Sequence, residues 1–142
     1  MNILVINGPN LNLLGIREPD IYGKKTYADL VKQITAYALA KGVSVEFRQT
    51  NHEGVIIDWI QAEYLRFQGL ILNPGALTHY SYAIRDCLKS LPIRTVEVHL
   101  SDIGAREEFR KISVIQDACI AQIKGKGFAG YEEAIDCLMK GN

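Results

Sequence analysis

Five short apolar runs, each set apart from the next by a longer stretch, constrain this chain more than any other feature. Residues 3–6 (ILVI), 43–47 (VSVEF), 69–73 (GLILN), 95–100 (TVEVHL) and, more weakly, 119–123 (CIAQI) have the length and composition of strands. After the first run, Tyr27, Leu30, Val31, Ile34 and Ala38 recur at the three-four spacing of one helical face, with Thr26 able to cap its start and Gly42 to stop it. Ile56, Trp59, Ile60, Tyr64 and Phe67 predict a second helix ending at Gly69. Ile84, Cys87, Leu88 and Leu91 predict a third that stops at Pro92, and Tyr131, Ala134, Ile135, Leu138 and Met139 a last one. Helical crossovers return the chain to the same end of a sheet, so the strands run parallel and helices cover both faces.

Five such strands suit the flavodoxin-like α/β fold, a doubly wound parallel sheet in the order 2-1-3-4-5. The 142 residues are enough for one such domain over 1–142, with a core that needs no disulfide or metal. No repeat, low-complexity segment or linker divides it. Formal charge balances to zero, so no global field steers nucleic acid or favours an anionic membrane, and an anionic ligand must be held by local groups. Every apolar run falls far short of the ~18 residues of a membrane span, and the opening MNILVING has no basic flank of a signal peptide. Cys87, Cys119 and Cys137 form no CxxC and read as reduced, buried structural thiols. The expectation is a soluble cytoplasmic protein without membrane or nucleic-acid partners.

The connection after the first strand is anomalous. GPNLNLLGIREPDIYG, residues 8–23, holds two prolines and three glycines and is nearly three times the usual strand-to-helix length of about 2–6 residues. Leu11, Leu13, Leu14, Ile16 and Ile21 give it apolar side chains that a solvated linker does not need. A loop of that kind in a compact domain binds or covers something.

In a doubly wound sheet, ligands sit beyond the carboxyl ends of the strands near the reversal in strand order, here beside strands 1 and 3. Strand 1 runs into Asn7-Gly-Pro-Asn10, strand 3 into Asn73-Pro-Gly-Ala with Leu77-Thr78-His79 behind it, and strand 4 into His99-Leu-Ser101-Asp102. Asn10, Asn73, His79 and His99 are thereby expected in one crevice. Glu97, two residues before His99, points to the same side of the pleat. A carboxylate beside an imidazole fixes its tautomer and favours its proton-donating form. His52, in TNHEG, reads as a loop residue near a helix start. The chain has no GxxxxGK[ST], no GxGxxG after strand 1, no GxSxG, HExxH or paired CxxC, so the common nucleotide, hydrolase and zinc signatures are absent where they would be expected. KGKG at 124–127 reads as a turn and AREEFR at 105–110 as a helical turn directly after the crevice.

The segments INGPNLNLLGIREPDIYG, NHEG, ILNPGALTHYSYAIRD and EVHLSDIGAREEFR, in this order and spacing, resemble the type II 3-dehydroquinate dehydratases, and the resemblance covers nearly the whole chain. It implies a flavodoxin-like fold, a dodecamer of four trimers, no cofactor or metal, and dehydration of 3-dehydroquinate to 3-dehydroshikimate. By the same resemblance Tyr22 is the base that removes a proton from C2, Arg17 activates it, and His99 is the acid that protonates the departing C1 hydroxyl. Asn10 would stabilise the intervening enolate through a water and Glu97 would orient His99. Asn73, His79 and Arg110 would hold the ring hydroxyls, and the backbone N–H groups of Leu100 and Ser101 the carboxylate. Asp86 would reach into a neighbouring subunit's site.

A free tyrosine has a pKa near 10, and lowering it to ~7 needs roughly 4 kcal/mol of preference for the phenolate. An arginine about 4 Å away supplies ~1 kcal/mol in bulk water but about 4 at an effective dielectric near 20. Arg17 therefore suffices only under a closed loop, so residues 17–23 are expected to act as a lid while residues 8–12 form a fixed floor. Two positions depart from the family pattern: Asp102 stands where asparagine is commoner, and Gly104 where a larger residue is frequent. If Asp102 faces the substrate carboxylate it should cost ~1 kcal/mol or more of affinity. A non-catalytic flavodoxin-like module binding a nucleotide or flavin would explain the strand ends, but not His99 with Glu97 or the arginine and tyrosine of the loop. The other known route to this dehydration uses a Schiff-base lysine in a TIM barrel, which needs upwards of ~200 residues.

Overall fold

The computed structural model describes residues 1–16, 19–105 and 107–141, with the side chains of Ile21 and Tyr22 left out. Five strands, β1 (Asn2–Asn7), β2 (Ser44–Gln49), β3 (Gly69–Asn73), β4 (Thr95–His99) and β5 (Ala121–Lys124), form one sheet in the order β2-β1-β3-β4-β5. All four pairings are parallel, as the alternation of elements predicts.

The period-two pleat of the strands divides the core into two layers. Ile3, Val5, Ile71, Val96 and Val98 pack on one face against Leu30, Ile34 and Ala38 of α2 (Tyr27–Ala40) and Tyr131, Ala134, Ile135 and Leu138 of α5 (Ala129–Lys140). Leu4, Ile6, Leu70 and Leu72 pack on the other against Ile56 and Ile60 of α3 (Glu53–Glu63) and Ile84 and Leu88 of α4 (Tyr82–Ser90). Each such side chain contributes about 1.5–3 kcal/mol on burial. Thr26 caps α2 through a reciprocal box, accepting from the Asp29 N–H at 3.2 Å while its own N–H donates to the Asp29 carboxylate at 2.9 Å. Ser81 caps α4 by accepting from the Ile84 N–H at 3.1 Å and donates to Glu53, which ties the starts of α3 and α4 together.

Three regions differ from the sequence expectation. The long opening loop is not wholly irregular: it contains a 3-10 turn (Leu11–Leu13) and a helical turn, α1 (Pro19–Tyr22), where proline stands at the first helical position that it favours. The β4–β5 connection lacks the apolar three-four spacing of a helix and folds as 3-10 turns at Ile103–Ala105, Glu108–Lys111 and Gln116–Ala118. Cys119 closes the last of these, its N–H donating to the Gln116 carbonyl at 3.0 Å, and β5 begins at Ala121 instead of Cys119. Of the cysteines, only Cys87 is buried and Cys119 and Cys137 are half-buried, all three with free thiols; burial first, and then the Glu97 charge, push the Cys119 thiol up to about 12, which leaves it unreactive. Among the described residues no helix is long and apolar enough to cross a membrane.

The carboxyl ends of β1 and β3 meet at close range. The Gly8 N–H donates to the Asn73 carbonyl at 2.8 Å, and a Cβ on Gly8 would lie 2.8 Å from the Pro74 carbonyl oxygen. Gly75 holds a left-handed backbone, φ +58°, and a Cβ there would lie 3.0 Å from the Pro9 carbonyl oxygen. Side chains at either position would push the two turns apart.

Candidate active site

Beyond these strand ends lies a small open cleft. Asn10, Asn73, His79, His99, Leu100, Ser101 and Arg110 all line it, together with Pro9, Leu11, Gly75, Ala76 and Ile103. Three segments distant in sequence thus converge because each follows a neighbouring parallel strand. Asn10 holds a left-handed backbone, φ 72°, unusual for a residue other than glycine. It is kept there by an N–H bond of 3.0 Å to the Asn51 side chain, while buried Leu11 and Leu14 pin the following turn into the core.

His99 and Glu97 form the buried chemistry of the site. The His99 ring is 4% exposed and Glu97 is fully buried, with His99 Nε2 2.5 Å from Glu97 Oε2. Thr78 Oγ1 donates to the same carboxylate at 2.5 Å and Ser113 Oγ at 3.0 Å. An ionised carboxylate only accepts, so Nε2 carries a proton and Nδ1 is the nitrogen left to exchange one with a ligand. Burial pushes the Glu97 carboxyl up, yet the His99 bond and charge and the two hydroxyls outweigh it and hold the group below the ordinary 4.5. Because the folded value is the lower one, Glu97 contributes its stability in full above about pH 4.5 and loses it as pH falls through the folded value. Thermal melting of the wild type is therefore expected to weaken below that pH more steeply than melting of Glu97→Gln; parallel profiles would contradict it.

The second imidazole has the opposite character. His79 Nδ1 lies 2.7 Å from the Ile112 carbonyl oxygen, which only accepts, so Nδ1 bears the proton and Nε2 is an acceptor. Burial is the main influence pushing this ring below 6.5; the Ile112 bond opposes it and the His99 and Arg110 charges assist. His79 is neutral near pH 7 and suited to receive a hydroxyl hydrogen. Its ring meets Phe109 edge-on at 5.6 Å, and the Arg110 guanidinium lies over the other ring at 4.8 Å while its Nε donates to Glu107 at 3.1 Å. The carbonyls of Leu100 and Ser101 are turned away to accept from Gly127 and Gly125 at 3.0 and 3.2 Å.

Asp86 is exposed on α4, outside the lining. Arg17 and the Tyr22 side chain lie outside the described residues. Thr78 and Ser113 were not singled out by sequence reasoning; the only signal was that Thr78 sits next to His79 in LTH, and Ser113 carries none.

With this geometry, the chain's kinship is specific. The family model described as dehydroquinase class II matches residues 1–139. The chain belongs to the class II dehydroquinase family. It is 54% identical to the 3-dehydroquinate dehydratase of Halalkalibacterium halodurans, with 98% of this chain and 96% of the relative covered. The Clostridium acetobutylicum enzyme of the same name is 55% identical over 97% of this chain and 96% of its own. A crystal structure of the type II dehydroquinase from Butyrivibrio crossotus superposes with a TM-score of 0.96 at 55% identity, covering 98% and 97% of the two chains.

As a class II dehydroquinase, the chain carries one departure that its own geometry explains. Asp102 is absent from the cleft lining; its Oδ1 accepts from the Gly104 N–H at 3.0 Å and stands 3.8 Å from Lys124 Nζ. The carboxylate is spent on its own turn and on a cation. The condition for the expected affinity penalty, an Asp102 carboxylate facing the cleft, is not met. A Cβ on Gly104 would meet Asp102 Oδ1 at 3.4 Å, ordinary contact, so glycine is not sterically required there.

Proposed function

We propose that this cleft dehydrates 3-dehydroquinate to 3-dehydroshikimate, the shikimate-pathway step towards aromatic amino acids, by anti elimination through an enolate. The reading rests above all on the buried Glu97–His99 pair at 2.5 Å opening onto a cleft that also holds Asn10, Asn73, His79 and Arg110. Tyr22, as phenolate, takes the C2 proton, and the C–H electron pair moves onto the C3 carbonyl oxygen as an enolate. Asn10 stabilises that oxygen through a water. The enolate then collapses to the enone, the C1–O bond breaks, and His99 delivers a proton to the departing hydroxyl, which leaves as water. Glu97 compensates the imidazolium charge before transfer and orients the ring throughout.

Binding is divided among groups of different kind. His79 Nε2 accepts from a ring hydroxyl, Asn73 and Arg110 donate to others, and the Leu100 and Ser101 N–H groups receive the substrate carboxylate. Arg17 lowers the cost of the Tyr22 phenolate once residues 17–23 close over the substrate. Asp86, outward on α4, completes a neighbouring subunit's site in a dodecamer of four trimers. No cofactor or metal takes part, and the enzyme works in the cytoplasm.

The test is a continuous assay of the ultraviolet absorbance of the conjugated enone, using purified protein and 3-dehydroquinate alone. Turnover is expected to persist in chelator, and borohydride with substrate should leave the chain's mass unchanged. Absence of turnover, or a trapped lysine adduct, would overturn the reading.

A further inference from the structure

Beneath the cleft floor runs a chain of hydrogen bonds whose direction is set by one backbone group. The Gly75 N–H can only donate, and it faces Asn73 Oδ1 at 3.2 Å. Asn73 Nδ2 must therefore be the atom facing the Tyr131 hydroxyl at 2.9 Å, and it donates to it. The phenol's single hydrogen then goes to Asn7 Oδ1 at 2.6 Å, which leaves Asn7 Nδ2 to donate to Tyr27 at 3.3 Å. Reversing either carboxamide would set donor against donor or leave an acceptor unmatched. Tyr131 is fully buried and Asn73 only 3% exposed, so water cannot readily replace a missing link.

We propose that Tyr131, a core residue of α5, is a positioning residue for substrate binding: its phenol locks the Asn73 carboxamide so that Nδ2 always presents its second hydrogen to a ligand hydroxyl. The inference rests on the reading that Asn73 holds a ring hydroxyl and goes beyond it, since it assigns the orientation of that group to a side chain that never touches substrate. Tyr131 meets the requirement because a phenol accepts and donates through one atom. Burial pushes its ionisation up, so it keeps the hydrogen that Asn7 needs at any pH at which the enzyme works. Phenylalanine would preserve the packing against β1, β3 and α2 while removing both bonds.

The experiment measures KM and kcat separately for Tyr131→Phe, Asn73→Ala and the double variant. Tyr131→Phe is expected to raise KM about tenfold with kcat changed less than threefold, and to add less than twofold to KM in the Asn73→Ala background. A merely structural role would reduce the active fraction, and so kcat, while leaving KM alone. An unchanged KM in Tyr131→Phe, or effects that multiply in the double variant, overturns the proposal. An unchanged KM in Asn73→Ala overturns the reading on which it rests, and the proposal with it. Should Tyr131→Phe fail to fold, neutron diffraction on the wild type decides: deuterium on Asn73 Nδ2 directed at the phenol, and on the phenol directed at Asn7, is the expected polarity, and the reverse contradicts it.

Discussion

His99→Ala is expected to lower kcat for 3-dehydroquinate by about 10²- to 10⁴-fold while changing KM little, the usual span for loss of a positioned general acid. The loss cannot be made good from within the cleft. His79, the other imidazole there, commits its Nδ1 proton to the Ile112 carbonyl at 2.7 Å and is held neutral by burial. Glu97 is fully buried and already serves the Thr78 and Ser113 hydroxyls, and its carboxyl is held below the ordinary range, so it has no proton to lend near neutral pH. The C1 hydroxyl would have to leave as hydroxide or wait for water. Initial rates of enone formation check the claim; a His99→Ala rate within tenfold of wild type would remove the residue from the acid role.

Tyr22→Phe is expected to be about as severe, again by about 10²- to 10⁴-fold in kcat, because the ring is retained and only the proton acceptor is lost. The energetic argument is demanding: about 4 kcal/mol must favour the phenolate, and one arginine supplies that only where water is excluded. The proposed division between floor and lid has a basis in the described residues of the loop. Its first half is fixed by Leu11 and Leu14 in the core and by Asn10 on Asn51, whereas Tyr22 stands at the end of α1, a single helical turn between Gly15 and Gly23. Near-normal turnover in Tyr22→Phe would defeat its role as base, and a KM rise without a fall in kcat would make it a binding residue instead.

The strand order and the gathering of Asn10, Asn73, His79 and His99 were legible in the sequence for one reason. Parallel crossovers place every strand's carboxyl end on the same edge of the sheet, so residues just after apolar runs must meet. Glu97 was legible from the two-residue period. What escaped the reading lacks periodicity. Thr78 and Ser113 reach Glu97 from two turns whose approach is a tertiary fact. Tyr131 was correctly placed in the core by its helical spacing, but nothing in that spacing reveals that its oxygen would arrive between Asn7 and Asn73. The direction of Asp102 was equally hidden, because it depends on the 3-10 turn at Ile103–Ala105 and on Lys124 at the end of β5. Between β4 and β5, short polar segments with Gly104 do not signal a helix, and the weak apolar run at 119–123 shifts when a turn claims its start.

The division of labour between a base and a separate acid can be tested most directly by following hydrogen exchange at C2 of 3-dehydroquinate in D₂O, by proton magnetic resonance. If Tyr22 forms the enolate and His99 is needed only to expel the hydroxyl, His99→Ala should exchange a C2 hydrogen faster than the enzyme-free control while making almost no enone, and Tyr22→Phe should do neither. Enzyme-catalysed exchange in Tyr22→Phe, or none above the control in His99→Ala, would contradict the assignment.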